Sequence, residues 1–217
     1  MPKKIVIFPY GGSGRESLSC FFALNNINKE WDILGFIDDK KENIGNSCCG
    51  ILVIGGRDIL NEMPETYVLA VPGNPVNHTK RKVVIEDLKI NIDRFATIIH
   101  PSVVIAKDAQ IGYNNLIMAN SVIGSGVNIG NHCIILPNTV VSHDTVIGDY
   151  CCIGANVTIS GRVRIEDVVY IASGTSIKDN LLIRSGSFIG LGSNVIRDVL
   201  SQQVVAGNPA KVIRVER

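Results

Sequence analysis

Residues 121–159 read SVIGSGVNIGNHCIILPNTVVSHDTVIGDYCCIGANVTI, and an aliphatic residue falls in them at every sixth place: Ile123, Ile129, Ile135, Val141, Ile147, Ile153 and Ile159. The register extends without a miss back to Ile99 and forward to Val195. An amphipathic helix repeats its apolar face every ~3.6 residues, so a strict period of six excludes one. β-Branching at these positions favours extended backbone instead. The residue after the aliphatic is often glycine (Gly112, Gly124, Gly130, Gly148, Gly154, Gly190), and the fourth residue after it is often small or β-branched, as at Ser121, Cys133, Thr139, Thr145 and Cys151. Glycine permits a turn there, and a small side chain fills the corner.

This pattern predicts a coil in which six residues form one short face of a prism and the aliphatic points to the axis. With three faces per turn, residues 18 apart stack on successive rungs, separated by about 4.8 Å, the interstrand spacing. The register ends after Val195, because Ser201 stands where the next aliphatic is due. VVAGNPAKVIR (204–214) contains a Gly-Asn-Pro turn and is expected to cap the coil or fold back over it.

The first half has a different grammar. KIVIF (4–8) is a continuous apolar run of the kind that forms a buried parallel strand, and GGSGRES follows at once. ESLSCFFALNN predicts a helix, DILGFIDD (32–39) a second strand ending in acids, TYVLAV (66–71) a third, and HTKRKVVIEDL (78–88) a second helix. RFATIIH (94–100) leads into the coil. Strands alternating with helices mean a small parallel α/β sheet, Rossmann-like over residues 1–96, with the coil and its cap over 97–217. Ligands on such sheets bind outside the carboxyl ends of the strands, here at Gly11–Arg15, at Asp38 with Asp39, and at Gly73. The third glycine of the dinucleotide fingerprint is missing from GSGRES (12–17), which argues against nicotinamide chemistry. The free amide groups of a helix start still suit a phosphate; the bland alternative is a plain strand-to-helix turn.

Composition narrows the function classes. Lys and Arg number 21 against 20 Asp and Glu, a net charge of +1, so no broad electrostatic grip on nucleic acid or an anionic membrane is expected. The start, MPKKIVIFPYGG, holds only about five apolar residues before Gly11, too few for a signal peptide or a membrane span. The expected location is cytoplasmic. The six cysteines form no CxxC motif, so free thiols are expected and no metal site. Cys133 and Cys151, 18 apart, stack on adjacent rungs and are expected to be two small core thiols.

YGGSG and FIDD, then a hexapeptide coil carrying SHDT, then AGNPAK, together resemble the nucleotide-sugar N-acetyltransferases and sialic acid O-acetyltransferases of bacterial glycan synthesis, over essentially the whole chain. The resemblance implies a left-handed parallel β-helix, a nucleotide sugar bound by the first unit, and acetyl-CoA lying along the coil at the interface of a homotrimer. It implies that Ser13, Gly14 and Arg15 form a phosphate loop, that Asp38 and Asp39 contact the nucleoside, and that Gly73 lies on the substrate side. For acetyl-CoA it implies Gly161, Ser173, Gly174 and Gly190-Leu191-Gly192 along the pantetheine arm, with Lys211 and Arg214 near the nucleotide phosphates. The chain departs from the family in two places: Arg15 and Cys152 stand where many relatives have histidine, Cys152 at a position that contacts the acetyl group.

The same resemblance makes His143 the general base that deprotonates a sugar amine. Imidazole suits that work, since its ordinary pKa of about 6.5 lets it accept a proton at neutral pH. Asp144 would orient the ring and strengthen the base. By the rung rule His143 stacks between Ser125 and Gly161, and the side-chain-free Gly161 leaves room where a thioester could lie. His100 and His132 lie in the coil without a matching motif, and His78 reads as a surface or helix-start residue. The expected activity is acetyl-CoA-dependent N-acetylation of a nucleotide-linked deoxyamino sugar. O-acetylation of a sialic-acid-like sugar, or a non-catalytic scaffold that binds a nucleotide sugar, are the alternatives.

Overall fold

The computed structural model describes residues 1–215. Strands β1 (Lys3–Phe8), β2 (Trp31–Ile37), β3 (Ser47–Cys48), β4 (Ile51–Gly55) and β5 (Tyr67–Ala70) form one sheet in the order β3-β4-β2-β1-β5. All neighbours run parallel except β3 and β4, a hairpin that the apolar pattern did not announce. Its tight turn is made by Cys49 and Gly50, both at positive φ (51° and 81°). Ile5, Val6, Ile7 and Phe8 are all buried, as the unbroken apolar run requires of a strand covered on both faces.

Helix α1 spans Gly12–Ile27, so the glycine-rich stretch is the first turn of the helix rather than a loop before it. The reason is a close approach: a Cβ at Gly14 would stand 2.2 Å from the Pro9 carbonyl oxygen. The helix expected over 78–88 is shorter, a 3₁₀ turn at His78–Lys80 followed by α2 (Arg81–Glu86), and the chain turns left-handed at Lys89 (φ 51°).

From Ile98–Ile99 to Asn194–Val195 the chain forms two-residue parallel strands in three sheets, one per face. Each strand pairs with those 18 residues away, Val122 with Val140 and Val140 with Thr158. The aliphatics make a single axial core from Ile117 to Val205, each isoleucine contributing about 2 kcal/mol by burial. At most corners the third residue after the aliphatic takes the left-handed conformation, with φ between 55° and 61° at Asn120, His132, Asn138, Asp144, Tyr150 and Asn156. The small fourth residue does more than fit. Thr139 Oγ1 donates to Gly154 O (2.8 Å), Thr145 Oγ1 to Ser160 O (3.0 Å), and the Cys133 and Cys151 thiols to Gly148 O (3.1 Å) and Glu166 O (3.2 Å), each linking one rung to the next.

Beyond Val195 the coil continues with a shorter step, Ile183 bridging Val199 and Ile189 pairing with Val205, 16 residues on rather than 18. Strand Gln203–Gly207 then folds back through Asn208 and Pro209 into Ala210–Val215, the expected cap.

The two units share a core. Ile98, Leu116, Ile134 and Cys152, which point outward from one coil face, pack with Leu18, Phe21 and Val71 of the α/β unit. The seam also buries Arg81, 3% exposed, whose guanidinium donates to the carbonyl oxygens of Pro72, His132 and Tyr150.

Candidate active site

The corner between the strands Val140–Val141 and Val146–Ile147 carries the sequence Ser142-His143-Asp144-Thr145. His143 and Asp144 are both exposed, with side chains 53% and 62% accessible, and His143 Nδ1 lies 2.9 Å from Asp144 Oδ2. Since the carboxylate only accepts, Nδ1 is the donor, and in the neutral ring Nε2 keeps the lone pair. Asp144 reaches that position because it occupies the left-handed place of the corner (φ 59°), which aspartate tolerates. Backbone bonds fix the pair from both sides: Asp144 N donates to Ser125 O and Arg162 N to His143 O, each at 2.9 Å. Gly161 is one rung above, as expected, but the space over it is not open. A Cβ there would lie 2.5 Å from His143 Nε2, so the imidazole itself fills the room assigned to a thioester.

At the carboxyl ends of β1, β2 and β5 lies a cleft of about 410 Å³, lined among others by Tyr10, Gly11, Asp38, Asp39, Arg57 and Gly73. Its acids are already engaged. Asp38 is 5% exposed, and its carboxylate accepts from Tyr10 N (3.0 Å) and Lys40 N (2.9 Å), tying two loops together. Asp39 accepts from Arg57 N (3.0 Å) and Arg57 Nε (2.7 Å). Burial alone would raise the Asp39 carboxyl, but the Arg57 hydrogen bonds and charge outweigh it and hold its pKa below the usual carboxylate value. The unanticipated cleft residues are Tyr10, Arg57, Lys80 and Asn77; VPGNPVN, a turn-rich stretch just past β5, was the available signal.

The predicted phosphate loop does not converge on this cleft. Ser13 sits with Gly73, Ile134, Cys152 and Tyr170 around a small cavity of about 40 Å³ between the two units. Arg15 faces a larger groove of about 700 Å³ between α1 and the coil, shared with Cys49, Met118, Leu136 and Ser173, and its guanidinium lies 5.4 Å from the Tyr10 ring centre. Gly73 borders both the cleft and the small cavity, and Leu136 borders both the cavity and the groove, so the three hollows adjoin.

Cys152 is 6% exposed, and burial pushes its thiol up, leaving a neutral SH rather than a nucleophile. Its strand lies on the face covered by the α/β unit, whereas His143 lies at the corner between the other two faces, so the two do not meet within one chain. Of the residues assigned to acetyl-CoA, Ser173, Gly174, Leu191 and Gly192 share one exposed corner, on the far side of the intervening face from Gly161. Ser173 Oγ accepts from Ala155 N (3.1 Å). Gly190 has a packing reason of its own, since a Cβ there would stand 2.7 Å from that of Ala206. Lys211 is exposed on the terminal strand.

Two of the other histidines, His78 and His132, are structural. His78 opens its 3₁₀ turn, as expected, but it is buried, 5.9 Å from Tyr170 and 5.5 Å from Phe188 between ring centres, and Nε2 donates to Gly186 O at 3.3 Å. His132 is 4% exposed and stacked on Tyr150 at 4.6 Å. Burial, aided by the Arg81 charge, lowers its pKa to about 4. Among the described residues no group of three or more His, Cys, Asp or Glu is placed to hold a metal ion, and no helix is long and apolar enough to cross a membrane.

A three-faced coil of parallel two-residue strands, preceded by a small α/β sheet, is the left-handed β-helix of the hexapeptide-repeat acetyltransferases. Residues 95–205 match the family described as the GMPPB C-terminal domain, and the chain belongs to that family. Sequence comparison with curated proteins found no match. Among solved structures, the acetyltransferase domain of PglB from Neisseria gonorrhoeae FA1090 is similar, with 25% identity and a TM-score of 0.84 over 97% of this chain and 100% of that one. The same domain has been solved in complex with acetyl coenzyme A. PerB from Caulobacter crescentus, in complex with CoA and GDP-perosamine, shares the fold at 22% identity and a TM-score of 0.83, over 98% of this chain and 97% of that one.

Proposed function

We propose that this chain transfers the acetyl group of acetyl-CoA to the amino group of a nucleotide-linked deoxyamino sugar, with His143 as general base. The observation that carries the reading is the His143–Asp144 pair, exposed, joined at 2.9 Å, and presenting a free Nε2. The likeness to an acetyltransferase domain solved with acetyl coenzyme A supports the donor, and the likeness to PerB with its bound GDP-perosamine supports the acceptor class. As the sugar amine forms its bond to the acetyl carbon, His143 Nε2 takes the released proton; the carbon–sulfur bond breaks, and the proton passes to the departing coenzyme A sulfur. Asp144 holds the ring in the tautomer this requires and offsets the positive charge it gains.

The α/β unit, residues 1–96, would bind the nucleotide sugar in the cleft beside Gly73, with Ser13 flanking the sugar and Cys152 on the side of the acetyl group. The coil unit, 97–217, would hold acetyl-CoA along Ser173, Gly174, Leu191 and Gly192. Because His143 faces away from the cleft of its own chain, the site is completed when the corner of one copy meets the cleft of another, as in a homotrimer. A cytoplasmic enzyme is the corresponding setting. The test is thiol release from acetyl-CoA with a panel of uridine-, thymidine- and guanosine-diphosphate amino sugars, with mass spectrometry of each product. One added acetyl on one amine is the expected result. Acetyl on a hydroxyl, or no transfer across the panel, would overturn the reading.

A further inference from the structure

Two glycines flank the His143–Asp144 pair, one on the rung below and one on the rung above, and each is in contact with one member of it. A Cβ at Gly126 would stand 2.7 Å from Asp144 Oδ1. A Cβ at Gly161 would stand 2.5 Å from His143 Nε2, 2.6 Å from Cε1 and 3.1 Å from Cδ2. Both distances fall below any van der Waals contact, so any side chain at either place displaces the group above or below it. The lower rung is itself held: Asp108 Oδ2 accepts from Ser125 Oγ at 2.7 Å and from Gly126 N at 3.1 Å, while Ser125 O accepts from Asp144 N at 2.9 Å.

We infer that Gly126 and Gly161 are positioning residues: Gly126 admits the carboxylate that orients the imidazole, and Gly161 gives the Nε2 edge of the ring a side-chain-free seat. The two differ in what else they do. Gly126 has φ +67°, so it also serves the left-handed corner, in which a Cβ is strained. Gly161 is outside that region and its neighbour is the far end of a side chain that can swing outward. Replacing it should therefore move the imidazole and leave the coil intact. This gives Gly161 a role toward the base in addition to the contact with the pantetheine arm that the resemblance implies. The inference rests on His143 being the base.

Gly161→Ala is the decisive variant. Misplacing a reacting group by about 1 Å can cost on the order of 100-fold in rate, so kcat is expected to fall 10- to 100-fold with both KM values and the melting temperature unchanged. In a His143→Ala background the same change should add nothing, because its effect passes through the ring. Gly126→Ala should lower kcat about as much as Asp144→Asn and add little to it; Gly186→Ala, also at positive φ (70°) but away from the pair, controls for backbone strain and should leave kcat unchanged. Full kcat in Gly161→Ala, or a loss confined to KM for acetyl-CoA, overturns the inference, and the latter returns Gly161 to the cofactor. If His143→Ala itself retains full turnover, the base assignment falls; if His143→Ala is inactive and Gly161→Ala is not, only the seating role falls.

Discussion

His132 and His143 stand on the same coil, 11 residues apart, each within a corner, and their surroundings are opposite. His132 is walled in by Tyr150, Tyr113 and Phe95, receives a hydrogen bond from Asn114 Nδ2 at Nδ1 (2.8 Å), and has Arg81 bound to its backbone oxygen. Every force there favours the neutral ring. His143 is half accessible, has a carboxylate on one nitrogen and leaves the other free. The repeat supplies nearly the same backbone at each turn, so what distinguishes the structural His132 from the proposed base His143 is the corner each occupies and what covers that corner. The corner bearing His132 lies against the α/β unit; the corner bearing His143 points away from it.

The largest effect should come from His143→Ala. Loss of a general base costs ~10²- to 10⁴-fold, so kcat for thiol release should drop about 1,000-fold with no change in melting temperature. The opposite member of the comparison is probed by Arg81→Ala, which strips three buried carbonyl oxygens of their donor. Urea unfolding should report a loss of about 3 kcal/mol.

A smaller effect separates the histidines by pH. The folded pKa of His132, about 4, lies below its ordinary value, so between about pH 6.5 and about pH 4 the unfolded chain binds the proton first. Its contribution is complete above that window and drains away as pH falls through it, by about 3 kcal/mol. His132→Asn, which keeps a residue tolerant of left-handed backbone, should flatten this part of the stability profile; an unchanged profile would show that His132 is not its source. The smallest change is Asp144→Asn, which should reduce kcat about tenfold and leave stability as it was.

The coil was legible in detail because its energetics repeat: one β-branched residue per six, one turn, one small corner, with nothing distant to override them. The 18-residue stacking that places Ser125 and Gly161 about His143 followed directly. Less of the α/β unit could be read. The hairpin at Ser47–Gly55 carries too short an apolar pattern to announce itself, and Gly12–Gly14 resembles a loop until the nearness of Pro9 explains it. Charges gave the poorest guidance. Asp38 and Asp39 stand at a strand end, where ligand contacts are expected, and they line the cleft, but their bonds to Tyr10 and Arg57, partners that only the fold brings near, had no sequence signal. Arg81, buried among carbonyl oxygens, has no sequence signature at all.

The even spacing of the rungs turns the coil into a graduated ruler. Because each turn restores the same backbone, a chemical group can be moved along it in increments of about 4.8 Å by shifting its address 18 residues, without bending the rod. Writing His-Asp at 161–162 instead of 143–144 would raise the imidazole by one graduation relative to the cleft at the strand ends. In the reaction proposed above, reach toward the acceptor is thus an integer, set by counting turns.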